Sequence, residues 1–419
     1  MVPRKIRRFR PSIFPAKGER MLLNRSRALE IMEKNDLVAL VATAPENVAY
    51  LTGFWVLTHW RHRGRQVYAI LSRDDGNADL VISRGLVDHP LQGGTWVRRY
   101  YLYGEFFFAP TPLEAIDSES RALFQSLGKA PHHPTALDAL LHCLRDRKIE
   151  KGRIGVDQGG DLVFLGNSLV QAMPALEPVP AYELFRQIRL IKTSEEIRRI
   201  QEATRIAEEA LTAAIQAIAE GVREKELDLI FKERVIQKGG YPTLSWIGAG
   251  PRGAFPNVEP SDRKIRPGDA VRFDVGCIYQ AYHADIARTA VLGKPSAKQR
   301  QYHDALVAGE ERLLEAFRPG AAVADLFRMG MEEVRAKGIP HYQRHHLGHG
   351  TGIEGYDPPL LTGNSPLRLE PGMVFCVETP YYEPGFGGLH IEDIVAVTAE
   401  GCRLLTQMDR RLFVIPEGG

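Results

Sequence analysis

Five acidic and imidazole side chains in the last third of the chain are the residues best suited to do chemistry. Each lies in a short string where an apolar or glycine-rich run is interrupted by a single Asp, Glu or His. The five are Asp274, Asp285, His349, Glu378 and Glu392. An ionised carboxylate in an apolar strand is too costly to stay unpaired. Two divalent cations would balance four carboxylates beside a neutral imidazole, so the set predicts a dinuclear metal site.

The first string, FDVGCIYQAYHADIART, predicts a hairpin. An apolar strand delivers Asp274, Gly276 lets the backbone turn, and a second strand returns Asp285. Both carboxylates would then meet at one point. His349 lies between two glycines in GHGTGIEGYDPP, and these small neighbours leave room for an ion and a substrate.

The two glutamates lie in apolar runs that predict strands, VFCVETP and GGLHIED. Side chains alternate between the two faces of a strand. Glu378 therefore shares a face with Cys376, and Glu392 shares a face with His390.

The donor types restrict the metal. Oxygen-rich ligation with one imidazole suits Mn²⁺, Mg²⁺, Co²⁺, Fe²⁺ or Zn²⁺ and argues against a structural zinc site built from thiolates. Mn²⁺ is our first expectation, with Co²⁺, Zn²⁺ or Fe²⁺ as alternatives. The four cysteines are widely separated and form no Cys-x-x-Cys pair, so the sequence predicts no disulfide framework, and we expect a cytoplasmic protein.

With these strings the chain resembles the metal-dependent peptidases of the pita-bread fold, family M24. That family includes Xaa-Pro dipeptidase, aminopeptidase P, methionine aminopeptidase and the metal-free creatinase. The resemblance runs from about residue 22 to the C-terminus and implies hydrolysis by metal-activated water. It implies that Asp274 and Asp285 bind one ion, and that Asp285 and Glu392 bridge the two. His349 and Glu378 would complete the second site, and Glu378 would also accept a proton from the water.

Departures from the family pattern concern the residues that meet the substrate. The peptidases usually carry two further histidines, and Asn257 and Tyr356 stand at those positions. Both can donate a hydrogen bond, but neither becomes a cation near neutral pH as histidine does. His345, four residues before His349, fits a histidine of the prolidase and aminopeptidase P branch. These departures favour a substrate narrower than general Xaa-Pro peptides.

Other residues are candidates for substrate binding. His390 stands where the family usually has an arginine, and period-two spacing puts His283 and His390 on the faces of Asp285 and Glu392. The segment NVAYLTGFWVLTHWRHRGRQVYAI resembles a creatinase segment that holds a substrate carboxylate across a dimer interface. The arginines of that segment are Arg61, Arg63 and Arg65. A planar guanidinium suits bidentate carboxylate binding, although a solvated basic loop is the alternative.

The chain divides into three parts. Residues 1–21 are a basic arm, residues 22–185 a creatinase-like domain, and residues 186–419 a pita-bread catalytic domain. The fold class is thus α/β (α+β). A capping box at Thr193 and Glu196 predicts the start of a long amphipathic helix, which Gly221 should end. Six identities between residues 221–239 and 320–338 predict an internal pseudo-twofold duplication, with the metals between the halves.

Composition bounds the remaining function classes. A chain of 419 residues with 44% hydrophobic content can bury two cores. The formal net charge of +2 predicts no nucleic-acid partner, and no apolar run predicts a membrane span. The resemblance implies a homodimer acting on a small peptide. A hydrolase or lyase for a small non-peptide molecule is the alternative, and a binding pseudoenzyme is disfavoured because every ligand type is retained.

Overall fold

The structure is a computed structural model. It describes residues 21–56, 66–89, 95–109, 112–118, 121, 124–125, 131–157 and 159–417. Nearly all of the predicted basic arm, together with Arg61, Arg63 and Arg65, therefore lies outside the described residues. None of the helices in the described part of the chain is both long and apolar enough to cross a membrane.

The N-terminal part is a mixed sheet with helices packed against it. Its seven strands are β1 (Leu37–Ala42), β2 (Tyr68–Ser72), β3 (Ala78–Ser83), β4 (Tyr100–Tyr103), β5 (His132–His133), β6 (Gly152–Val156) and β7 (Leu176–Pro180). They run in the order β5-β4-β3-β2-β1-β6-β7. Strand β2 is antiparallel to both neighbours, and the other pairs are parallel. The helices are α1 (Arg25–Lys34), α2 (Pro45–Thr52), α3 (Ala136–Asp146) and α4 (Gly159–Ala172).

Two helices connect this sheet to the rest of the chain, α5 (Tyr182–Arg189) and α6 (Ser194–Gln216). The predicted capping box is present, because the Thr193 amide donates to the Glu196 carboxylate at 2.7 Å and the Glu196 amide donates to the Thr193 hydroxyl at 3.3 Å. The prediction that α6 continues to Gly221 was wrong by about one turn. The helix ends at Gln216, but Ile218 beyond it is still buried, so the apolar spacing continues past the end of the helix.

The C-terminal part repeats an order of two helices followed by antiparallel strands. The first copy contains α6, α7 (Glu224–Gln237), β8 (Tyr241–Ala249), β9 (Ala270–Tyr279) and β10 (Tyr282–Leu292). The second contains α8 (Ala297–Ala316), α9 (Val323–Lys337), β11 (Gly348–Gly350), β12 (Asp357–Leu360), β13 (Val374–Glu378), β14 (Tyr381–Glu383), β15 (Gly387–Leu389) and β16 (Glu392–Val397). Strands β17 (Cys402–Leu404) and β18 (Phe413–Ile415) follow.

One sheet joins the two copies. Its strands run in the order β12-β11-β13-β16-β10-β9-β8, so the halves meet where β16 pairs with β10. Strands β9, β10, β13 and β16 are almost entirely buried, including the charged side chains that interrupt their apolar residues. The four acids of the predicted metal site belong to these four strands, one on each.

A buried cluster of charges ties the connecting helix to both parts of the chain. The Arg189 side chain is 1% exposed and donates to Asn47 Oδ1 at 2.6 Å and to Asp357 Oδ1 at 3.1 Å. It also forms an ion pair with Glu354. Lys192 Nζ lies 3.4 Å from the second Asp357 oxygen. Glu354 and Asp357 flank Tyr356, so this cluster fixes both ends of the turn that carries it.

Candidate metal centre

Strand register brings the predicted ligands together. Asp274 lies opposite Ala287 on β10, and Ala287 lies opposite Glu392 on β16. Glu392 in turn lies opposite Glu378 on β13. Directly opposite residues project from the same face of a sheet, and Asp285, two residues before Ala287, shares that face.

The second half of the site follows from the same register. His349 on β11 lies opposite Cys376 on β13, which is two residues from Glu378. All five predicted ligands therefore project from one face of one sheet. Each of the five is at most 6% exposed.

The ligand atoms form two overlapping groups. Oxygens of Asp274, Asp285 and Glu392 lie within 4.8 Å of one another, and so do ligand atoms of His349, Cys376 and Glu392. His349 Nε2 lies 3.9 Å from Asp285 Oδ2 and 3.8 Å from Glu392 Oε1. Glu392 belongs to both groups, which is the geometry expected of a bridging ligand.

The orientation of His349 suits metal ligation. Its Nδ1 lies 3.0 Å from the Gly350 carbonyl oxygen, and donation there leaves the lone pair on Nε2, which faces the carboxylates. The Tyr356 ring stacks on the imidazole with a centroid separation of 3.6 Å and an interplanar angle of 17°. Burial lowers the pKa of His349, so the neutral form that a metal requires is favoured.

Burial, reinforced by repulsion among the acids, disfavours the ionised form of three of these carboxyls. Burial, and then the charges of neighbouring acids, raises the pKa of Asp285 and of Glu392 well above the ordinary carboxyl value. Burial also raises the pKa of Asp274, although His390 and Arg272 oppose it. Asp285 Oδ1 is buried and has no hydrogen-bond partner among the described residues. An orphaned carboxylate oxygen within a group of buried acids fits a cation-binding site.

Two histidines face Glu378. His346 Nδ1 lies 3.0 Å from Glu378 Oε1, and His390 Nε2 lies 3.2 Å from Glu378 Oε2. Burial would raise the pKa of Glu378, but these two imidazoles hold it well below the ordinary value. His345, which the sequence favoured, is exposed and packs edge-on against His346 with a ring separation of 4.5 Å. The residues before β11 have no regular structure, so spacing alone could not decide which histidine faces inward.

Arg272 is a further residue of the site that the sequence reasoning missed. It is fully buried, and its Nη1 donates to Asp274 Oδ2 at 3.1 Å. Nη2 donates to the carbonyl oxygens of Phe255 and Pro256 at 2.9 and 2.6 Å. Period-two spacing from Asp274 on β9 was the signal that could have identified it. Arg272 thus links a metal-site acid to the turn that carries Asn257.

The remaining predicted residues, Asn257, His283 and Tyr356, differ in their exposure to solvent. Asn257 is exposed on that turn, and its side chain makes no hydrogen bond with any described residue. His283 is half-buried beside the turn that carries Tyr356, and its backbone amide donates to the Gly352 carbonyl at 2.9 Å. Burial lowers the pKa of His283 to about 4, so it is neutral at physiological pH. Tyr356 is 55% exposed and caps the cluster from the solvent side.

The chain's similarity to known proteins agrees with this geometry. Residues 198–399 match the model of metallopeptidase family M24, and residues 25–191 match the creatinase/prolidase N-terminal domain. The chain is 36% identical to the Xaa-Pro dipeptidase of Pyrococcus furiosus over 235 residues, which are 55% of this chain and 67% of that protein. It is 30% identical to YqhT, an uncharacterized peptidase of Bacillus subtilis, over 63% of this chain and 75% of that protein.

A solved structure extends the similarity to both parts of the chain. The prolidase from Pyrococcus furiosus superposes with a TM-score of 0.69 at 26% identity, covering 91% of this chain and 99% of that one. The chain therefore belongs to metallopeptidase family M24, with a creatinase/prolidase N-terminal domain before the catalytic domain. The predicted fold class and family are confirmed.

Proposed function

We propose that this protein is a dinuclear metal-dependent hydrolase of the Xaa-Pro dipeptidase and aminopeptidase P type. The observation that carries the proposal is the convergence of four buried carboxylates and one imidazole on one face of the sheet, with Glu392 common to both groups of ligand atoms. The similarity to the Xaa-Pro dipeptidase of Pyrococcus furiosus, 36% identity over 235 residues, supports the same reaction class.

The donor set fits two divalent cations. Asp274, Asp285 and Glu392 would hold one ion, and His349, Glu378 and the bridging acids would hold the other. When bound, such ions would polarise the scissile carbonyl and lower the pKa of the attacking water. The positive charge of the ions would stabilise the ionised carboxylates, which burial alone disfavours.

Glu378 is the residue proposed to move the proton. One carboxylate oxygen faces His346 and the other faces His390, so both imidazoles favour its ionised form. Glu378 would accept the proton of the attacking water and return it to the leaving nitrogen. His346 and His390 would hold the carboxylate in position during both transfers.

Tyr356, His283 and Asn257 are the proposed substrate contacts on the open side. Tyr356 presents a hydroxyl beside His349 and can donate to a developing oxyanion without carrying charge. His283 would act as a neutral hydrogen-bonding group. Asn257 follows Pro256, whose carbonyl oxygen accepts from Arg272, and its exposed amide can offer a hydrogen bond to a substrate.

The exposure of Asn257 and the uncharged Tyr356 favour a second candidate, a hydrolase or lyase acting on a small non-peptide molecule. The peptidases usually have histidines at both positions, and those histidines contact the substrate's peptide group. The proposed metals, with Mn²⁺ first, and the proposed homodimer in the cytoplasm are the same for both candidates. Arg61, Arg63 and Arg65 remain candidates for binding a substrate carboxylate.

A mass-spectrometric activity screen tests the two candidates directly. Mn²⁺-loaded protein would be offered Xaa-Pro peptides beside small N-acyl and amidino acids, with Glu378→Ala as the control. Metal-dependent cleavage of the peptides, lost in the control, would support the peptidase. Turnover of only the small molecules would support the second candidate, and no turnover of either would contradict both.

A further inference from the structure

One thiol lies among the ligand atoms of the proposed metal centre. Cys376 is fully buried on β13, opposite His349 on β11 and two residues before Glu378. Its sulfur, a nitrogen of His349 and an oxygen of Glu392 lie within 4.8 Å of one another. Its spacing from Glu378 places it on the same strand face as that glutamate.

The two groups of ligand atoms therefore differ in chemistry. Asp274, Asp285 and Glu392 offer only oxygen, whereas His349, Cys376 and Glu392 offer nitrogen, sulfur and oxygen. Oxygen ligands suit Mn²⁺ and Mg²⁺, and thiolate with imidazole suits Zn²⁺ or Co²⁺. Asp285 Oδ1, which has no hydrogen-bond partner among the described residues, belongs to the oxygen-only group. Glu392 connects that group to His349 and Cys376.

The spacing is compatible with one ion bound by all three residues. Bonds from Zn²⁺ to nitrogen, oxygen and sulfur are about 2.0–2.3 Å, which places the ligand atoms of a tetrahedral ion roughly 3–4 Å apart. Ligand atoms that lie within 4.8 Å of one another would need to approach by only about 1 Å.

We propose that Cys376 is a thiolate ligand of the ion held by His349 and Glu392, and that it makes this half of the centre selective for Zn²⁺ or Co²⁺ over Mn²⁺. The inference rests on the proposed dinuclear function and deepens it, because the two ions would then differ. On binding, the metal–sulfur bond forms as the thiol releases its proton to solvent, and no oxidation takes place.

Cobalt spectroscopy of the full-length protein tests this inference without measuring activity. Metal-free protein would be titrated with Co²⁺ while near-ultraviolet and visible absorption are recorded. The wild type should develop a sulfur-to-cobalt charge-transfer band together with visible ligand-field bands. Cys376→Ser should lose the charge-transfer band and keep the ligand-field bands.

Cys277→Ser is the matched control. Cys277 is equally buried and lies three residues from Asp274, an odd spacing that directs it to the opposite face of the sheet, where its sulfur contacts the Ala203 carbonyl oxygen at 3.3 Å. This variant should keep the charge-transfer band. In competition between Zn²⁺ and Mn²⁺, Cys376→Ser should lose zinc preference by roughly tenfold or more, and Cys277→Ser should not.

X-ray absorption of the cobalt-loaded wild type keeps the test valid if Cys376→Ser does not fold. A sulfur neighbour at about 2.3 Å would support the inference. Ligand-field bands with neither a charge-transfer band nor a sulfur neighbour would overturn it and leave the proposed hydrolase intact. Failure of the wild type to bind Co²⁺ at all would overturn both this inference and the proposed metal centre.

Discussion

Glu378 and Glu392 lie directly opposite each other on the neighbouring antiparallel strands β13 and β16. Like charges at directly opposed positions destabilise a sheet, and both side chains are at most 5% exposed. Histidines face Glu378, and Glu392 belongs to both groups of atoms that could hold a metal ion. Both arrangements offset the repulsion between the two glutamates.

Glu392→Gln should therefore lose both metal ions, because Glu392 belongs to both groups of ligand atoms. Asp274→Asn should lose one ion, since Asp274 belongs to a single group. Elemental analysis of each purified variant gives the number of ions per chain, and activity should fall by roughly 10²-fold or more in Glu392→Gln. Retention of both ions by Glu392→Gln would contradict its bridging position, and the exposed Glu400→Gln serves as control.

Comparing His346→Gln with His345→Gln tests which of these adjacent histidines acts at the site. The structure indicates His346, and the sequence-based prediction was His345. His346 Nδ1 faces Glu378 Oε1 at 3.0 Å, whereas His345 is exposed. Loss of a contact to a charged group should reduce kcat by about 10- to 100-fold in His346→Gln. His345→Gln should stay within about threefold of the wild type, as surface changes commonly do. A larger loss in His345→Gln would restore the original assignment.

Two substitutions of Tyr356 distinguish the role of its aromatic ring from the role of its hydroxyl group. The ring stacks on His349 at 3.6 Å. Tyr356→Phe should keep the metal affinity and lose about 10²-fold in kcat if the hydroxyl donates to the oxyanion. Tyr356→Ala should also weaken metal binding, because His349 loses the ring that orients it. The measurements are steady-state kinetics and metal titration; equal metal affinity in all three proteins would show that stacking does not orient the ligand.

Arg189→Met should destabilise the protein strongly. The change leaves the buried Asp357 without its main partner and breaks the contact with Asn47. Breaking a buried ion pair from one side costs about 3–5 kcal/mol. Arg186→Met is the control, because Arg186 is partly exposed and its ion pair with Glu354 is longer, so a loss of at most about 1 kcal/mol is expected. Chemical denaturation of the two variants should differ accordingly, and similar losses would show that Arg189 is not central to the cluster.

The stability of the fold should depend on pH through Glu196. Burial raises the pKa of this carboxyl from 4.5 to about 7, against opposing contacts from Thr193, Lys192 and Tyr282. Between these values the folded state holds a proton that the unfolded state has released. The free energy of unfolding should therefore decline as pH rises from about 4.5 to about 7, by about 3 kcal/mol from this group alone.

Glu196→Gln cannot titrate, so the stability of the wild type relative to this variant should fall with rising pH over that window. Glu195→Gln is the neighbouring control. Burial would raise the pKa of Glu195, but Arg198 and Arg199 hold it below the ordinary value. Its contribution is complete above about pH 5 and is lost only in acid, so its difference from the wild type should stay flat between pH 5 and 8. A flat difference for Glu196→Gln as well would disprove the raised pKa.

Much of the site could be predicted before the fold was known, because strand alternation acts within one strand. Apolar runs interrupted by Glu378 and Glu392 specified strands with an inward acid, and the shared faces of Glu392 and His390 followed from period two. The capping box at Thr193 was equally local. The end of the helix at Gln216 could not be predicted locally. Ile218 lies beyond the helix and is buried by tertiary packing, so its apolar character did not indicate helix.

The sequence by itself determined the donor types, the elements that carry them and the family, since residue chemistry and strand period are properties of the chain. The tertiary structure alone decided which strands are neighbours and in what register. That register sets Cys376 opposite His349, and the irregular segment before β11 turns His346 inward and leaves His345 exposed. Such pairings depend on contacts between residues far apart in sequence, and no local spacing encodes them.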